Sequence, residues 1–70
     1  MFVRIKELRI DSDMSQREVA DRIGMSQTGY SKYETGEVTP PAETLIKLAK
    51  LYNTSVDYLL GITKEKKPYK

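Results

Sequence analysis

"MSQREVADRIGMSQTGYSKYE", Met14 to Glu34, contains one three-residue word twice: Met14-Ser15-Gln16 returns as Met25-Ser26-Gln27. Gln16 and Gln27 are the only glutamines in the chain. Serine is a preferred helix N-cap, because its hydroxyl oxygen accepts a backbone N–H that the first turn leaves unpaired. Ser15 is followed three residues on by Glu18, which makes a capping box, and Met14 and Val19 stand where a hydrophobic staple sets the entry angle. Ser26 has Gly29 in the corresponding place, so the second copy has a cap and a staple (Met25 with Tyr30) but no box. Val19, Ala20 and Ile23 supply the apolar face of the first of these helices. Tyr30 and Tyr33, at i and i+3, supply that of the second. Gly24 and Gly36 end them, as glycine at the left-handed C′ position commonly does. The word therefore marks two capped helix starts. Nothing else recurs at that period, so the chain is not a solenoid.

Outward from this centre, Phe2, Ile5 and Leu8 recur at helical spacing and predict a helix over about residues 2–10. Asp11-Ser12-Asp13 breaks it with turn formers. Downstream, Pro40 and Pro41 bound a loop, and Pro41 fits the first turn of a helix. Leu45, Leu48, Ala49 and Tyr52 follow i, i+3, i+4, i+7 and predict a helix over about 41–52. Asn53 and Thr54 turn the chain. Ser55 caps a short fifth helix bearing Val56, Leu59 and Leu60, which Gly61 ends. Residues 63–70, "TKEKKPYK", lack apolar periodicity and read as a basic, flexible tail. The expected fold is all-α, a compact bundle of about five short helices in one domain over residues 1–62.

Composition narrows the chemistry. Seventy residues make one domain with a thin core. Cysteine and histidine are both absent, which removes disulfides, the commonest general base and the commonest zinc ligands. Asp11-Ser12-Asp13 resembles the opening of a calcium loop, but the sixth and twelfth positions would be Gln16 and Arg22 instead of glycine and glutamate. Neither a nucleophile–base arrangement nor a phosphate-binding glycine loop is visible, so no catalysis, cofactor or metal is expected. The N-terminus "MFVRIKELR" has no signal-peptide core and no stretch approaches the ~20 apolar residues of a membrane span, so a cytoplasmic protein is expected. The net charge is +2, but the last eight residues carry +3 and leave −1 on residues 1–62. Overall charge therefore does not by itself point to DNA.

Two capped helices joined by a three-residue turn containing glycine describe a helix-turn-helix. From Gln16 to Glu34 the segment resembles the phage repressor/Cro-type (xenobiotic-response-element) helix-turn-helix family. That family has glutamine first, a small residue fifth, glycine ninth and apolar residues at the fifteenth and eighteenth places, which here are Gln16, Ala20, Gly24, Tyr30 and Tyr33. "RIKELR" is similar to the family's first helix and "YETGEVTPPAETLIKLAKLYNTSVDYLLG" to its fourth and fifth, so residues 3–61 are covered. Two departures stand out. The fifteenth place is usually aliphatic, and the hydroxyl of Tyr30 needs a partner. Gly29 inside the third helix costs ~1 kcal/mol against alanine.

The resemblance implies a lambda-repressor-like domain that binds double-stranded DNA as a transcriptional regulator, a repressor in sense, with the third helix in the major groove. It implies DNA contacts from Gln16, Arg17, Ser26, Gln27, Thr28, Ser31, Lys32 and Thr39. Residue chemistry agrees for the exposed face of that helix: Gln27, Thr28, Ser31 and Lys32 are short hydrogen-bonders and one cation, suited to base edges and phosphates. By type alone, the glutamines would be ordinary surface residues, and Arg9 and Glu34 solvated charges. The resemblance implies instead a partly buried salt bridge, Arg9 to Glu34, between the first and third helices. One recognition helix reads few base pairs, so a homodimer on a pseudo-palindromic operator is expected, with half-sites ~34 Å apart. Its contact surface is expected around Val56, Tyr58 and Leu60; alternatively these residues complete the monomer core. A protein-interaction adaptor using the fourth and fifth helices, and an antitoxin repressing its own operon, remain as alternative functions.

Overall fold

The computed structural model describes residues 3–64. Five helices follow one another: α1 (Val3–Asp11), α2 (Gln16–Ile23), α3 (Gln27–Thr35), α4 (Ala42–Leu51) and α5 (Val56–Leu59). No strand occurs among the described residues. Phe2 and all but the first two residues of the expected tail lie outside them.

The helix starts are built as the repeated word requires. The Ser15 hydroxyl accepts from the Glu18 N–H at 3.1 Å, and a Glu18 carboxylate oxygen accepts from the Ser15 N–H at 3.1 Å. Gly24 closes α2 at φ +77°, and the Met25 N–H reaches back to the Ala20 carbonyl at 2.9 Å. A side chain at Gly24 would meet nothing within 4 Å. Glycine is therefore needed there for its left-handed backbone, not for space. The Ser26 hydroxyl starts α3 by accepting from the Gly29 N–H at 3.1 Å. At Gly29 space is the issue: a Cβ would sit 3.1 Å from the Met25 methyl and 3.2 Å from the Ser26 hydroxyl. The glycine that weakens α3 thus leaves room for the cap and the staple that start it.

The start of α4 differs from expectation. Pro41 is not in the first turn but is the N-cap residue, extended at φ −68° and ψ 163°, and the helix runs from Ala42 to Leu51. Its carbonyl accepts from the Leu45 N–H at 3.1 Å, which is what an N-cap backbone does. The α5 helix has four residues, with the Ser55 hydroxyl accepting from the Tyr58 N–H at 3.1 Å. Leu60 falls beyond its end and is exposed, whereas Leu59 is buried. The apolar pattern had grouped both.

Ile5, Val19, Ala20, Tyr30 and Leu48 are fully enclosed, so α1 to α4 each contribute to one core. Ala20 lies within the buried face by which α2 packs on α3. A longer side chain there would separate the two helices and move the residues they present. Tyr30 and Tyr33 meet edge to face, 6.5 Å between ring centres at 88°, an arrangement favoured by the ring quadrupoles. Both rings are core.

Candidate nucleic-acid interface

With α2 closed at Ile23 and α3 opened at Gln27, three residues separate the helices, and the two glutamines stand at the first position of each. This brings Gln16, Gln27, Thr28, Ser31 and Lys32 together along one open concavity. Ser31 is half-buried there, while Gln27, Thr28 and Lys32 project into solvent. Arg17, Ser26 and Thr39 are exposed but do not line this surface. The Ser26 hydroxyl oxygen accepts the cap hydrogen bond, which leaves its O–H to donate. One lining residue was missed from the sequence: Glu37, just past the end of α3. An acid two residues into a loop gives no local signal of which helix face it will join.

Beneath this surface lies a charged cluster. Arg9 grips Glu34 with two nitrogens, Nε to Oε2 at 2.7 Å and Nη2 to Oε1 at 3.2 Å, and its Nη1 donates to the Met14 carbonyl at 3.0 Å. The Glu34 side chain is 3% exposed and that of Arg9 14%. Gln16 joins them, its Nε2 donating to Glu34 Oε1 at 3.1 Å. Its hydrogen bond thus runs inward to Glu34. Burial alone would raise the Glu34 carboxyl. The Arg9 hydrogen bonds, the neighbouring Tyr30 hydroxyl, the Gln16 amide and the Arg9 charge together outweigh burial and hold it below the usual carboxylate range. The Tyr30 and Tyr52 hydroxyls are also buried beside this carboxylate, and neither makes a well-formed hydrogen bond. Burial, reinforced by the Glu34 charge, pushes Tyr52 up to about 12 and Tyr30 further in the same direction. The hydroxyl that Tyr30 adds to an otherwise aliphatic place is therefore poorly satisfied.

On the opposite flank, Arg4 joins the two ends of the fold. Its guanidinium stacks on the Tyr58 ring, 4.3 Å from the centre, and donates to the carbonyls of Tyr58 at 2.9 Å and Thr63 at 2.6 Å. Val56 and Tyr58 pack partly against the core. Of the three residues expected at a dimer contact, only Leu60 is well exposed, and Ile62 beside it is more so. Among the described residues no group of His, Cys, Asp and Glu could hold a metal ion, and no helix is long and apolar enough to cross a membrane.

Comparison with known proteins gives this geometry a context. A helix-turn-helix family model matches residues 5–59. The chain is 37% identical over 65 residues to the uncharacterized HTH-type transcriptional regulator YobD of Bacillus subtilis, covering 93% of the chain and 58% of that protein. It is 41% identical over 58 residues to the HTH-type transcriptional regulator ImmR of the same organism, covering 83% of the chain and 46% of ImmR. It is 40% identical over 58 residues to the cryptic phage CTXphi transcriptional repressor RstR of Vibrio cholerae, covering 83% of the chain and 52% of RstR. The chain thus spans about half the length of these relatives. Among solved structures, the P22 c2 repressor in complex with a synthetic operator superposes with a TM-score of 0.75 at 32% identity, over 80% of this chain and 85% of that one. Family match, relatives and superposition point the same way: the chain belongs to the helix-turn-helix family, of the phage-repressor type.

Proposed function

We propose that this chain binds double-stranded DNA sequence-specifically as a transcriptional regulator, a repressor in sense, with α3 in the major groove. The observation that carries the reading is the shared concavity of Gln16, Gln27, Thr28, Ser31 and Lys32. It combines hydrogen-bonders that can address base edges with a cation that can meet phosphate, on one rigid pair of helices. Gln27, at the start of α3, suits a bidentate contact with adenine N6 and N7. Arg17, Ser26, Lys32 and Thr39 flank it as candidate backbone contacts. The P22 c2 repressor, of the same fold, was solved on an operator, which supports the same use of this surface. Such a protein works in the cytosol or nucleoid.

A homodimer on a pseudo-palindromic site belongs to the same reading. Each copy carries one recognition helix, α3, and a two-fold dimer would set two of them in major-groove windows ~34 Å apart. Leu60, with Ile62, is the exposed apolar part of the surface proposed around Val56, Tyr58 and Leu60. Selection of duplexes from a randomised pool, followed by binding across a salt series, tests the reading. A defined site with two related halves is expected. A chain that enriches no sequence and shifts no duplex at low salt would instead be an adaptor using α4 and α5.

A further inference from the structure

We propose that Glu34 is a positioning residue for DNA recognition: it fixes the amide of Gln16 so that one orientation faces the groove. This rests on the DNA-binding reading of the same surface.

A carboxylate only accepts hydrogen bonds, so Gln16 must turn its NH2 group toward Glu34, as it does at 3.1 Å. Its carbonyl oxygen and its second N–H are left for the concavity that it shares with Gln27. A free surface glutamine could present either end. Glu34 is in turn held by the two-nitrogen grip of Arg9, which reaches both carboxylate oxygens, and the third Arg9 nitrogen holds the Met14 carbonyl. Met14 lies two residues before Gln16, so the four groups close a circuit: Gln16 to Glu34, Glu34 to Arg9, Arg9 to Met14, and back along the backbone to Gln16. The end of α3 and the start of α2 are locked together, and the rotamer entropy of Gln16 is lost before DNA arrives. Arg9 also neutralises Glu34, so an acid beneath the DNA-facing surface need not repel phosphate. A purely structural ion pair needs Arg9 and Glu34 alone and gives no reason for a third bond to a groove-lining side chain.

The test uses the full chain and the duplex that the unaltered protein selects from a randomised double-stranded pool. Affinity and base preference are measured for the unaltered protein, Gln16→Ala, Glu34→Gln and the double variant. Glu34→Gln can turn its own NH2 toward Gln16 and so reverse the Gln16 amide. It is expected to weaken binding about tenfold and to flatten the preference at one base pair, and to do neither in the Gln16→Ala background. A second measurement needs no variant to fold. In the unaltered protein, one side-chain amide proton of Gln16 should exchange more slowly than those of Gln27, and the Gln16 amide signals alone should follow the acid titration of Glu34. Additive losses in the cycle, or Gln16 amide signals that behave as those of Gln27 do, would overturn the inference while leaving DNA binding intact. If the unaltered chain selects no sequence at all, the DNA-binding reading falls and this inference falls with it.

Discussion

On the proposed reading, Gln27 is the residue on which base recognition would depend most directly. It starts α3, is exposed, and has no side-chain partner among the described residues to compete with a base. Gln27→Ala should weaken binding to the selected site by ~1–3 kcal/mol and relax discrimination mainly at one base pair. A competition series with every single-base variant of that site measures this, and an unchanged preference would reduce Gln27 to a surface residue. On the same reading, Glu37 would act in the opposite direction. It places a negative charge on the surface expected to meet phosphates, and the attraction of neighbouring Lys32 is set against it. Glu37→Gln should bind random-sequence DNA roughly threefold more tightly at low salt, the size of one exposed charge interaction. Affinity for random duplex that stays level or falls would show that Glu37 instead accepts from a base, as a carboxylate can from cytosine N4.

Between elements, the Arg9–Glu34 pair fastens α1 to α3 and, through Met14 and Gln16, to the start of α2. Arg9→Ala would leave a carboxylate that is 3% exposed without its cation. Removing one partner of a buried pair costs ~3–5 kcal/mol; because Arg9 is partly open to water, the lower end, about 3 kcal/mol, is expected. At 4–8 °C per kcal/mol for a domain of this size, the melting temperature should fall by more than about 10 °C. A drop of only a degree or two would mean that water replaces Arg9 at little cost. Since Gln16 hangs on the same carboxylate, this variant is also expected to lose base discrimination, not stability alone.

The same pair sets an acid limit. Glu34 is held below the ordinary carboxylate range in the folded protein, so the unfolded chain takes up a proton first as the pH falls. The stabilisation is fully present above the unfolded value near pH 4.5 and is lost as the pH falls through the folded one. Melting temperature against pH should turn downward below about pH 4.5, and Glu34→Gln should start lower and show a shallower fall. Parallel curves for the two proteins would place the acid sensitivity in other carboxylates.

For the whole molecule, the proposed dimer would need a surface by which two copies meet. Arg4 stacks on Tyr58 and binds the carbonyls of Tyr58 and Thr63, so much of the α5 flank is covered by the chain's own N-terminal helix. Leu60, at 42% exposed, and Ile62, at 71%, remain as adjacent apolar residues. In a two-fold contact each copy presents the same patch, so one substitution acts twice. Leu60→Glu should therefore weaken binding to a two-half site by at least about tenfold, by placing like charges opposite each other, and leave binding to a single half-site unchanged. Sedimentation on and off the duplex gives the accompanying stoichiometry. Equal loss on both sites would put Leu60 in the monomer fold.

Much of this architecture is local in origin and could be read residue by residue. The caps at Ser15, Ser26 and Ser55 and the stops at Gly24 and Gly36 depend on backbone groups within a few residues, so their chemistry is written in short stretches. The helical periods of Ile5 and Leu8, and of Leu45, Leu48 and Ala49, identified core faces for the same reason. Where reading failed, the deciding contact was distant or the local options were nearly equal in energy. Pro41 fits both the N-cap and the first turn, and the backbone chose between them. Leu59 and Leu60 are the same residue type side by side, and only the end of α5 puts one inside and the other out. The partner of Gln16 lies eighteen positions away, and that of Arg4 beyond fifty. A cap joins atoms that the backbone already holds close, whereas the Glu34 cluster forms only when α1, α2 and α3 have packed, which is why the link from a core ion pair to the groove surface belongs to the tertiary structure.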